Sequence, residues 1–154
     1  MSHYTRIFLD GYSYYITMVT HARNPILLKN IELLRESFKN SKEQYSYTID
    51  AIVILPDHLH MIITPQYASD YPKIIRAIKY HFSTHYPPQD YAHIQQSQSR
   101  TKRGLKPIWQ KRFYEHTIRN EKDREEKITY IQNNPVKHRY VTHISDWEFM
   151  GIRT

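Results

Sequence analysis

His58 and His60 are separated by one residue, and Tyr130 and Asn134 stand four positions apart. On a strand, alternation sets both imidazoles on one face and Leu59 on the other. Met61 and Ile63 continue the Leu59 face, so that face reads as core and the histidine face as open. Two imidazoles side by side on an open sheet suit a divalent metal ion. On a helix, Tyr130 and Asn134 share a face. An amide oxygen is a reasonable ligand for a hard cation, and a phenol is a reasonable nucleophile. Neither pair is specific alone. Ten histidines make the first spacing common, and the second also describes a surface tyrosine followed by a helix-capping asparagine. Phosphoryl transfer gives all four a reason to meet. A free phenol has a pKa near 10 and attacks poorly at neutral pH. A metal on the phosphate offsets charge and orients it for in-line attack. The phosphotyrosine formed keeps the bond energy, so a later hydroxyl can rejoin the strand.

The elements that must position these groups follow from pattern. Tyr14 to Thr20 is β-branched and aromatic and reads as a strand. From Asn30, the residues Ile31, Leu34 and Phe38 fall at helical spacing, with Asn30 as N-cap. A strand from Ser46 to Leu55, a turn at Pro56-Asp57 and a strand from His58 to Thr64 make a hairpin. Asp70 caps a helix with Pro72 in its first turn and Ile74, Ile78 and Phe82 as its apolar stripe, stopped by Pro87-Pro88. Gln89 to Lys106 is polar and basic and reads as a mobile loop. Phe113 to Ile118 is a short strand. Asn120 caps a last helix, with Asp123 at the capping-box position, Ile128 and Ile131 facing the core, and an end near Asn134-Pro135. The order β-α-β-β-α-β-α is an α+β, ferredoxin-like (split βαβ) fold with one added helix. Two helices cover one sheet face and leave the other for a site.

Composition bounds the partners. The chain of 154 residues fits one domain spanning 1–154. It has no cysteine, which excludes disulfides, thiolate metal sites and cysteine nucleophiles. No apolar run approaches membrane-spanning length and the N-terminus has no apolar signal region, so no membrane contact and a cytoplasmic location are expected. The net charge of +7 suits a polyanion, and fourteen tyrosines supply rings that can stack on unpaired bases. Lys73, Arg76 and Lys79 form a basic helix stripe, and Arg100, Lys102 and Arg103 a loop cluster. Both lie off the apolar stripes and are placed on DNA phosphates.

Pro56-Asp57-His58-Leu59-His60-Met61-Ile62-Ile63 resembles the His-hydrophobic-His strand of the HUH single-tyrosine, IS200-like transposases. Ile108 to Asn120, with its Trp-Gln-x-Arg-Phe core, resembles one branch, the REP-associated tyrosine transposases. So do Tyr130-Ile131-Gln132-Asn133-Asn134-Pro135-Val136-Lys137-His138, the ending Ser145-Asp146-Trp147 and the opening Tyr4-Thr5-Arg6. The resemblance covers nearly the whole chain. It implies an HUH nuclease domain with His58, His60 and Asn134 as ligands of Mg²⁺ or Mn²⁺ and Tyr130 as nucleophile. It implies cleavage of single-stranded DNA beside a hairpin or palindromic repeat, through a 5′-phosphotyrosine. Arg6, Lys111 and Arg112, inside the matched segments, join the DNA-contacting cations. Two departures stand out: the Gln89–Lys106 loop is long, and Arg139 stands where glycine is common. Relatives include dimers, so monomer and homodimer both remain open.

Three other readings compete. A plasmid replication initiator or relaxase also uses an HUH strand, but with more chain. A non-catalytic, RRM-like reader on a ferredoxin-like sheet would want aromatics on its central strands and a glycine-containing motif, and this chain has only three glycines. A domesticated DNA-processing nuclease would keep the cutting site without moving an element.

Overall fold

The computed structural model describes residues 10–153, so Arg6 and the opening Tyr4-Thr5 lie outside the described residues. The strands are β1 (Ser13–Val19), β2 (Tyr47–Ile54), β3 (His58–Pro65), β4 (Tyr114–Ile118) and β5 (Met150–Ile152). The α-helices are α1 (Ile31–Gln44), α2 (Tyr71–His85), α3 (Gln98–Lys102) and α4 (Glu121–Lys137). The sheet order is β4-β1-β3-β2-β5, and every neighbouring pair is antiparallel. β1 and β2 therefore run the same way with β3 between them, which is the split βαβ arrangement. The three-residue β5 carries no strand signal of its own and exists by pairing with β2.

Alternation sorts the sheet into two faces. Tyr14, Ile16 and Met18 of β1 and Leu59, Met61 and Ile63 of β3 are buried under α1 and α2, against Leu34, Phe38, Ile74, Ile78 and Phe82. The opposite face carries Tyr15, Ala51, Val53 and Ile62, and it is not open. Ile131 of α4 packs on these residues, and half-buried Ile128 joins it. The histidine-side face is itself apolar at Val53 and Ile62, so it needs a cover, and α4 is that cover. Two polar ties fix the helix. Arg124 donates to the buried Asp50 carboxylate at 3.3 Å, beside an irregularity in β2. His116 on β4 meets Asp123 at 2.8 Å.

The helix ends bear out some expectations and correct others. The Asn120 side chain accepts from the Asp123 N–H at 2.8 Å, as expected of an N-cap. Asp123 does not complete the box; its carboxylate accepts from the Arg119 N–H and from His116 instead. Asn30 and Asp70 stand at helix starts but make no side-chain cap bond. The helix expected to end near Asn134-Pro135 runs on to Lys137. Proline loses the bond to the carbonyl four residues back and crowds that carbonyl, a cost confined to one turn. The turn beyond recovers others: the His138 N–H meets the Asn134 carbonyl, that of Arg139 meets Val136, and that of Tyr140 meets Pro135. The last two form a Schellman ending, which requires a left-handed residue after the cap. That residue is Arg139, with φ of 62°. The departure from glycine noted in the sequence thus sits where glycine is favoured. Arg139→Gly should raise stability by about 0.5–1 kcal/mol, after the greater freedom of glycine in the unfolded chain offsets part of the relieved strain. Urea unfolding of the two proteins checks this; an unchanged or lower midpoint contradicts it.

The Gln89–Lys106 segment, expected to be mobile, is folded. It holds a short turn at Pro88–Asp90 and α3, whose Ser97 cap accepts from the Arg100 N–H. The Arg100 guanidinium donates to Gln96 Oε1 at 3.0 Å and to the carbonyls of Lys106 and Trp109 at 3.0 and 3.1 Å. One cation gathers both ends of the loop, which composition could not show.

Candidate active site

β3 is the central strand of the sheet, and cross-strand pairing sets Thr17 of β1 opposite His60. Same-face neighbours in adjacent strands touch. Accordingly His60 Nδ1 lies 2.8 Å from Thr17 Oγ1 and 2.9 Å from Tyr15 Oη. His60 Nε2 is buried with no partner among the described residues. His58 Nδ1 lies 2.7 Å from Asp57 Oδ1. Burial alone would raise the Asp57 carboxyl, but hydrogen bonds and charge from His58 and Arg23 hold it below its usual value. An ionised carboxylate only accepts. In the neutral ring His58 would therefore carry its proton on Nδ1, leaving the Nε2 lone pair for a ligand.

The histidines are buried rather than open, at 5% and 6% exposure, because α4 lies over them. The His58 and His60 rings are 4.9 Å apart. Tyr130 packs edge-on against His60 at 5.3 Å, and His138 against His58 at 5.2 Å. Asn134 is midway between Tyr130 and His138 on the same side of α4, so it is bracketed over the histidine pair. Its side chain is fully buried, and both amide atoms lack a partner among the described residues. Buried polar atoms are normally satisfied. Here unsatisfied atoms lie on two elements that pack together, and their chemistry, imidazole nitrogen and amide oxygen, would suit a divalent cation. No group of three or more His, Cys, Asp or Glu able to share an ion occurs among the described residues, so a metal held here would need a ligand of another type, such as the Asn134 amide.

Burial first, then the nearby positive charge of His58, His138, Lys137 and Arg23, lowers the His60 pKa to about 3. The ring is neutral and ready to ligate. Protonation of His60 therefore does not set in above about pH 4. A stability effect does follow. Between pH 6.5 and 3 the unfolded chain binds a proton here that the folded chain does not, so stability falls as pH falls through that window. The slope from this residue is about 1 kcal/mol per pH unit. In EDTA-treated protein, His60→Asn should flatten the fall in urea midpoint between pH 6 and 4. Parallel profiles for variant and wild type would contradict it.

A cavity of about 360 Å³ opens beside this cluster, lined by Tyr15, Thr17, His60, Tyr114, Glu126, Lys127 and Tyr130. Tyr130 is 39% exposed there. Its Oη lies 3.4 Å from Lys137 Nζ, which also sits 4.9 Å over the ring. A group bound in the cavity meets a phenol oxygen and a histidine at once.

A family model described as IS200-like transposase matches residues 9–134. The chain belongs to this family. The transposase is 36% identical to a REP-associated tyrosine transposase of Haemophilus influenzae over 99% of this chain and 86% of that one. It is 36% identical to the REP-associated tyrosine transposase of Escherichia coli, over 97% and 81%. A solved structure of a REP-associated tyrosine transposase bound to a REP hairpin matches with a TM-score of 0.77 at 34% identity, covering 97% of this chain and 82% of that one. The transposase's α+β sheet is the one that structure shows. Family membership decides against the replication initiator and the RRM-like reader. No helix among the described residues is long and apolar enough to cross a membrane.

The other expected residues are scattered. Lys73 lies 3.7 Å from Asp70 at the start of α2. Lys102 and Arg103 are exposed at the end of α3. Arg76, Lys79, Arg100, Lys111 and Arg112 of the transposase surround a second cavity, away from the histidines. Sequence reasoning missed Thr17, Tyr15, Asp57, His138 and Lys137 as neighbours of the site. Thr17 and Tyr15 had a usable signal, because strand alternation sets them on one face, and Asp57 had its adjacency to His58; His138 and Lys137 needed the docking of α4.

Proposed function

We propose that this transposase cleaves and rejoins single-stranded DNA beside a hairpin or palindromic repeat, with Tyr130 as nucleophile and a divalent metal, Mg²⁺ or Mn²⁺, at His58, His60 and Asn134. The observation that carries the reading is the placement of Tyr130 and Asn134 over the histidine pair, with the Tyr130 phenol open to the cavity that His60 lines. The hairpin substrate is supported by the relatives' names and by the hairpin bound to the solved relative. Tyr130 Oη attacks the phosphorus as the 3′ oxygen leaves. The phenol gives up its proton, the departing oxygen takes one up, and a 5′-phosphotyrosine and a free 3′-hydroxyl result. Attack by another 3′-hydroxyl reverses the exchange and joins strands. A bound metal would supply charge neutralisation and orientation of the phosphate. The chain holds its donors: Asp57 fixes the His58 tautomer, Thr17 and Tyr15 fix the His60 ring, and burial keeps His60 neutral. Lys137 holds the phenol oxygen and offers positive charge beside it.

The test is incubation of hairpin oligonucleotides carrying unpaired flanks with the protein and Mn²⁺. A DNA–protein adduct mapped by mass spectrometry to Tyr130 is expected. An adduct on Tyr114, or cleavage without any adduct, overturns the assignment.

A further inference from the structure

The second cavity, about 480 Å³, lies between α2 and residues 104–113. Its size falls within the roughly 300–1,000 Å³ of small-molecule sites. Six lining residues are cationic, namely Arg76, Lys79, Arg100, Lys106, Lys111 and Arg112, and none is acidic. Three of the six build the wall. Lys79 donates to the Gln110 carbonyl, Lys106 to that of Ser83, and Arg100 to those of Lys106 and Trp109. Arg76, Lys111 and Arg112 have no hydrogen bond or ion pair among the described residues. Aromatic surface stands between the charges. Tyr80 is 73% exposed although it lines a cavity, and Phe113 and Trp109 line the same space. Trp109 is only 5% exposed, and its indole N–H is buried without a partner among the described residues. Indole nitrogen donates and cannot accept.

We propose that this cavity receives one unpaired nucleobase of the DNA substrate, stacked on Tyr80, with the flanking phosphates on Arg76, Lys111 and Arg112. This rests on the DNA substrate assigned above and adds a position at which the protein senses a base away from the reacting phosphate. A nucleotide matches the lining in both respects: a flat ring for the aromatics and phosphate charge for the three cations left without side-chain partners among the described residues. The chain path agrees. β4 is an outer strand of the sheet. Phe113, just before it, lines this cavity, while Tyr114, its first residue, lines the one with Tyr130. A single strand turning around the β4 edge would reach both, so the sensed base lies a few nucleotides from the cleaved bond.

The test uses fluorescein-labelled hairpin oligonucleotides with oligo(dT) flanks, each flank position replaced in turn by an abasic site. Binding is read by anisotropy for wild type, Tyr80→Ala and Tyr80→Phe, and adduct formation is followed on the same DNA. In wild type, one abasic position should weaken binding by about tenfold while its neighbours have little effect. Tyr80→Ala should lose about tenfold on the intact DNA and be indifferent to that abasic site, whereas Tyr80→Phe keeps the wild-type profile. Tyr80 is exposed, so its replacement leaves the fold intact. If wild type forms the adduct but Tyr80→Ala binds like wild type with an unchanged abasic profile, the base receptor is wrong and the proposed function stands. If Tyr80→Ala weakens every oligonucleotide equally, the cavity is a backbone track and the proposal is likewise overturned. If wild type neither binds nor forms an adduct, the proposed function falls and takes the receptor with it.

Discussion

Tyr130→Phe should abolish the covalent adduct and lower cleavage by at least about a thousandfold, with DNA binding nearly unchanged. The change removes one oxygen and keeps the ring. The ring contacts with His60 and Tyr15 persist, so the packing of α4 over the histidines is retained. The lost contact is a 3.4 Å approach of an exposed lysine, which contributes little to stability. Two other tyrosines line the same cavity and serve as controls. The Tyr15 phenol is 5% exposed and committed to His60, and its pKa is raised, by burial first, against a lowering by Thr17. It stays protonated and shielded. Tyr114 is 58% exposed, on an edge strand rather than on the helix that carries Asn134. Tyr114→Phe should therefore retain the adduct. Gel analysis with mass spectrometry on wild type and both variants checks the order; an adduct surviving in Tyr130→Phe would remove the assignment.

The sequence made the strand-borne half of this site legible, because a strand has a period of two and no other freedom. Leu59, Met61 and Ile63 face the helices, so His58 and His60 must share the other side, and the register confirms that pattern. The helix-borne half was legible only as a spacing. Ile131 and Ile128 pointed α4 towards the core, but nothing local says that this core is the second face of the sheet. The burial of His58 and His60 follows from that docking and was missed. Pro135 misplaced the helix end because its cost is local, while the Schellman turn and the buried contacts of α4 offset it. The Gln89–Lys106 loop failed for a related reason. Its polar composition reads as solvated, yet Arg100 spends its donors on backbone carbonyls that only the folded loop presents.

Metal removal should have the other large effect. After exhaustive EDTA treatment, cleavage should fall by about a thousandfold or more and return on adding Mn²⁺ or Mg²⁺, with less Mn²⁺ required because nitrogen ligands suit it better. The donors argue for weak binding by protein alone. Two imidazoles and an amide bring no negative charge, and the nearby charge of Lys137 and Arg23 opposes a cation. Asp57 works the other way, as a carboxylate on the far nitrogen of His58. DNA phosphate would add the missing charge, so metal affinity should rise when DNA is present. Mn²⁺ binding followed by electron paramagnetic resonance, with and without oligonucleotide, reads this without reference to activity. His60→Ala should abolish both binding and cleavage, and His58→Ala should do the same. Asn134→Ala should weaken binding and be partly rescued by high Mn²⁺, since water can replace an amide oxygen. Asp57→Asn should weaken binding about tenfold or more while leaving every ligand in place. Full cleavage in EDTA, or equal Mn²⁺ binding by wild type and His60→Ala, would remove the metal from this site and leave the orphaned His60 and Asn134 atoms needing another partner.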